Sequence, residues 1–104
     1  MESWQGRLVR QIVEQVDAWE RGAVGTSRLL ANTEGLMDAA SLRGTPSWDA
    51  FYLRWTRVDA ENELLIEPWA PTGSGSTDRL RLAIAALRQW AAEEVAHGTF
   101  TDAD

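Results

Sequence analysis

Apolar residues recur three and four positions apart through four long stretches of this chain, each closed by glycine or proline, and nowhere do they alternate with polar residues long enough to build a strand. That period belongs to the α-helix, so the sequence predicts an all-α protein, a four-helix bundle-like single domain over residues 1–104. The first helix is expected at about 3–21, where Trp4, Leu8, Val9, Ile12, Val13, Val16 and Trp19 share one arc and Gly22 and Gly25 stop the run. The second, at about 26–42, gathers Leu29, Leu30, Thr33, Leu36, Met37 and Ala40, with Thr26 or Ser27 as its cap. Gly35 lies off that arc, where it costs about 1 kcal/mol against alanine or marks a close approach to the backbone.

Thr45 and Pro46 are placed as cap and first residue of a third helix at about 46–67, ended by Pro68. Its inward arc takes Trp48, Phe51, Tyr52, Trp55, Val58, Asn62 and Ile66, which makes this aromatic segment the centre of the fold. Residues 68–76 have the Gly/Ser composition of a flexible loop. A fourth helix at about 77–97 buries Leu80, Ala83, Ile84, Leu87, Trp90, Ala91 and Val95, and Gly98 ends it. The tail 99–104 is expected to fray. Short links make the first three helices antiparallel neighbours, while the longer 68–76 loop leaves the place of the fourth open.

Several chemistries are disfavoured at once. The chain has no cysteine and a single histidine, so neither a disulfide framework nor the usual zinc site is available. Glu94-x-x-His97 has the spacing used in di-iron bundles, but a second such pair is missing. The Gly73–Thr77 run precedes a helix yet lacks the lysine of a phosphate-binding loop, and no nucleophile elbow occurs. The expectation is a protein without enzymatic activity, metal or cofactor. A formal net charge of -6 argues against nucleic-acid and anionic-membrane surfaces. No apolar run is long enough to span a bilayer and the first residues carry charges throughout, so a cytoplasmic protein is expected.

The functional lead is acidic. From Val58 to Asp78 the chain carries Asp59, Glu61, Glu63, Glu67 and Asp78 and no basic residue. Asp59, Glu63 and Glu67 recur every four positions, a stacking of like charge that costs a helix about 0.2–0.5 kcal/mol per neighbouring pair. A fold has no need of such a strip, whereas a partner with a basic surface does. Trp69, between Pro68 and Pro71, stands beside it as an anchor or as a plug for the end of the bundle, and Leu64 and Leu82 point away from their core arcs. The expected partner-binding set is therefore Asp59, Glu61, Glu63, Leu64, Glu67 and Trp69. Asp59 and Asn62 also fall inside the apolar arc, so they pair internally, with an arginine such as Arg28 or Arg88, or they face a ligand. The other tryptophans, Trp4, Trp19, Trp48, Trp55 and Trp90, take core positions.

The segment Val16-Asp17-Ala18-Trp19-Glu20-Arg21-Gly22, followed by an apolar helix and then by Trp48, Phe51 and Trp55 with trailing carboxylates, resembles small acidic all-helical immunity proteins of bacterial toxin systems, of the colicin D immunity type. The resemblance implies an immunity protein or antitoxin that covers the basic groove of a toxin, often a nuclease, with Asp59, Glu61, Glu63 and Glu67 as a patch. Two other readings stay open. One is a helical adaptor, chaperone or homodimer using the apolar surface of Leu64, Leu82 and Trp69. The other is a small-molecule binder or enzyme built on Asp59, Asn62, Tyr52 and Glu94.

Overall fold

The computed structural model describes residues 3–66 and 75–100. Within them the chain forms α1 (Trp4–Glu20), α2 (Thr26–Ala39), α3 (Pro46–Ile66) and α4 (Thr77–Ala96), and no strand. Local chemistry accounts for three of the four starts. Ser3 accepts the Gly6 N–H, Thr45 Oγ1 accepts that of Trp48, and Ser76 accepts that of Arg79. The α2 cap differs from expectation: Gly25 takes that position, and the Thr26 hydroxyl instead accepts the Trp19 indole N–H at 3.0 Å. The bond closes the α1–α2 turn.

Three helices end in the same way. After α1 the Ala23 and Gly22 N–H groups return to the Ala18 and Trp19 carbonyls, and after α4 those of Thr99 and Gly98 return to Glu94 and Val95. Both turns use a left-handed glycine, Gly22 at φ 76° and Gly98 at φ 71°. α2 makes the same turn with Ser41 at φ 57°, so it stops at Ala39 rather than reaching residue 42. Leu42, released from the helix, is buried in the core.

The helices close into a ring in which α1 touches α2 and α4, α3 touches α4 and, less extensively, α2, and the diagonal pairs stay apart. Gln5 Nε2 reaches the Ala40 carbonyl and Arg79 reaches Glu61, so consecutive helices run antiparallel. The fourth helix lies between α1 and α3. Ser3 N–H donates to the Phe100 carbonyl at 3.1 Å, and the Phe100 ring is buried against that end of the bundle. The tail thus begins ordered, against the expectation that it frays from 99; residues 101–104 lie outside the described range.

The core has two layers. Val9, Ile12, Met37, Phe51, Leu87 and Trp90 fill one, and Val16, Leu29, Leu30, Val58, Leu80 and Ile84 fill the other. Trp55 packs against both, and its indole N–H donates to the Leu30 carbonyl at 2.9 Å, which ties α3 to α2. Three residues assigned to the core are exposed instead: Trp4 at 48%, Tyr52 and Ile66. Trp4 begins its helix at a bundle end that Phe100 already fills. Tyr52 is stacked between Trp48 and Trp55 on the outside of α3, with ring centroids 5.9 and 5.6 Å away. Ile66 is the last residue of α3.

These backbone features predict opposite outcomes for three substitutions. Ser41→Gly relieves a left-handed serine and raises stability by about 1 kcal/mol. Gly35→Ala, where an added Cβ meets nothing within 4 Å, gains about 1 kcal/mol from helix propensity. Gly75→Ala sets a Cβ 2.7 Å from the Leu64 carbonyl oxygen and lowers stability by about 1–3 kcal/mol. Thermal melts followed by circular dichroism should shift up by several degrees for the first two variants and down by several degrees for the third.

Candidate functional site

The expected site residues separate in space. Asp59 is half-buried and Glu63 exposed, and both continue the stripe of Trp48, Tyr52 and Trp55 at spacings of four, three, four and four along α3. Arg43 extends this stripe at its other end, with its guanidinium 4.4 Å from the Trp48 ring centre. The same guanidinium hydrogen-bonds Asp38 and holds that exposed carboxyl below its ordinary pKa. One flank of α3 is therefore a ladder of stacked rings that ends in two carboxylates. Glu67 and Trp69 lie outside the described residues.

Glu61 lies on the other flank and is the buried carboxylate, 8% exposed. It accepts a hydrogen bond from Arg79 Nε at 3.1 Å, joining the last turns of α3 to the first turn of α4. The internal pairing anticipated for Asp59 is thus made by its neighbour, with an arginine outside the anticipated pair: Arg88 binds Asp17 at 2.9 Å, which raises the Arg88 pKa. Asn62 is buried. Leu64 is half-buried, with the chain returning at Gly75 against its carbonyl.

Above the Glu61–Arg79 pair runs an open groove of about 480 Å³ between α3 and α4. Leu53, Arg54, Arg57 and Glu61 line it from α3, and Arg79, Leu82, Ala83 and Ala86 from α4. Leu53 is 70% exposed and Leu82 71%, the largest exposures among the large apolar side chains described. Both face the same depression. Leu53, Arg57, Ala60 and Leu64 follow one another every three or four residues, so Leu64 shares that face of α3 without lining the groove. The sequence signal for Leu82 and Leu64, a leucine off the core arc, applied equally to Leu53 and was missed there. Arg54 and Arg57 were missed because an arginine on a helix reads as ordinary solvated surface.

The arginines of the groove offer fixed hydrogen-bond donors, and its carboxylate is held by Arg79. Among the described residues no three His, Asp or Glu side chains stand together as a metal ion would require, and no helix is long and apolar enough to cross a membrane. No family model matches the chain, and no curated protein or solved structure matches it significantly.

Removing Arg79 leaves the buried Glu61 carboxylate without its hydrogen-bonded cation. Arg79→Met is expected to cost about 1–3 kcal/mol in urea denaturation. Asp59→Asn, at a half-exposed position, should stay within about 0.5 kcal/mol of the parent protein.

Proposed function

We propose that this protein is a non-catalytic helical binding module whose docking surface for another protein is the α3–α4 groove. The observation that carries the reading is the convergence of Leu53 and Leu82 on one depression. Single exposed leucines are common on protein surfaces, but two such side chains on adjacent helices, with Ala83 and Ala86 lining the same groove, offer apolar area that a partner can cover. This corresponds to an adaptor or chaperone in general class.

A second reading has its own support. Glu63 is exposed, Asp59 half-exposed, and the ring ladder beside them presents Tyr52 to solvent. On a chain of net charge -6 that flank suits a basic partner, as a toxin-neutralising immunity protein or antitoxin in a bacterial cytoplasm would need. Glu61, bound to Arg79, contributes less to such a patch than its position in the acidic run suggested.

Capture of partners from the native host distinguishes the two. Under the groove reading, Leu53→Glu with Leu82→Glu abolishes capture, while Asp59→Arg with Glu63→Arg leaves it intact at physiological salt. The reverse pattern assigns function to the acidic flank. Circular dichroism melts of both double variants should match the parent, since all four positions are exposed or half-exposed.

A further inference from the structure

We propose that the occupant of the α3–α4 groove is an amphipathic helix with carboxylates along one flank, supplied by a different protein; this rests on the groove being the docking surface. Its shape supplies the first argument. The groove lies between two antiparallel helices, has Ala83 and Ala86 on one side, and carries Leu53 and Leu82 as its exposed apolar groups. The side-chain ridge of a third helix fits such a depression, placing its own apolar residues against both leucines.

Charge supplies the second. Three arginines and one carboxylate line the groove, so it is locally cationic on a protein whose formal net charge is -6. Arg79 is engaged with Glu61. Arg54 gives one Nη1 hydrogen bond to the Ala50 carbonyl at 2.8 Å, which leaves most of its donors available. Arg57 is exposed and has no carboxylate partner among the described residues. Arg54 and Arg57 are three positions apart on α3, the spacing that meets glutamates three or four apart on an incoming helix. A second copy of this chain fits less well: two-fold pairing of grooves would bring Arg54 and Arg57 of both copies together, and like charge across an interface is costly.

The test uses the intact protein and a phage-displayed library of helical peptides, with leucines fixed at i, i+4 and i+7 and flanking positions varied among Glu, Lys, Ser and Ala. Enriched peptides should carry glutamate along one flank. Their binding, read by fluorescence anisotropy, should weaken at least about tenfold for Arg54→Glu with Arg57→Glu, whose melting curve should match the parent. Methyl shifts on isotope-labelled protein should centre on Leu53, Leu82 and Ala86. Lysine-flanked or charge-indifferent winners overturn the proposal, as does no enrichment. So does a homodimer in analytical ultracentrifugation that Leu53→Glu dissolves. If the library fails while Leu53→Glu with Leu82→Glu still abolishes host capture, the acidic helix is wrong and the docking groove stands. If those substitutions leave capture unchanged as well, both fall.

Discussion

A buried carboxylate is tolerable only where a cation meets it, and at the junction of α3 and α4 Arg79 does so for Glu61. The pair fixes how the end of one helix faces the start of the next, across the connection that Gly75 closes against Leu64. It also neutralises one member of the acidic run, so that beyond Asp49 of the first turn the charges remaining on α3 divide by side. Asp59 and Glu63 go with the aromatic stripe, and Arg54 and Arg57 go with the groove. From Arg54 onward the helix therefore has two faces of opposite sign.

The aromatic stripe has a structural explanation that does not require a ligand. Trp48 and Trp55 are anchored inward, the first against Phe51 at 5.6 Å and the second through its bond to the Leu30 carbonyl. Tyr52 fills the space between their rings at interplanar angles of 14° and 9°, and Arg43 caps the stack. Offset rings add about 0.5–1.5 kcal/mol per pair beyond the area they bury, so the ladder reinforces α3 beside α2, the least extensive of the helix pairings. Tryptophan also has a cost here. The buried Trp90 Nε1 finds no acceptor among the described residues, because its surroundings are the Phe51 ring and aliphatic groups.

The four helices were legible because their periodicity and punctuation agreed. Thr45 and Pro46 open α3 and Gly22 closes α1 as their chemistry requires. Legibility failed where a choice depended on tertiary partners. Nothing local distinguishes Ser41 as the left-handed residue of α2, since serine reaches that conformation only when Leu42 gains burial by it. Helical geometry put Asp59 closer to the apolar arc than Glu61, yet Glu61 is the one buried, because α4 covers that side of α3 and brings Arg79. The core arc of a long helix shifts according to which neighbour it meets along its length. Tyr52 moved outward for the same reason. Of the candidate site, only Leu82 of the two groove-lining leucines was visible in advance, because a groove belongs to two helices at once.

The opposed faces of α3 have a consequence for encounter. The field of a chain at net charge -6 attracts cationic partners from a distance and repels acidic ones. An acidic helix therefore meets the groove against the global field and gains attraction only within about a Debye length, roughly 8 Å at physiological ionic strength, where Arg54 and Arg57 dominate. Added salt then has two effects of opposite sign on such a partner: it screens the long-range repulsion and speeds approach, and it weakens the close contacts and speeds departure. A basic partner at Asp59 and Glu63 experiences both effects in the same direction, losing approach and contact together. The salt dependence of association and dissociation rates, taken separately, thus reports which flank of α3 a partner occupies.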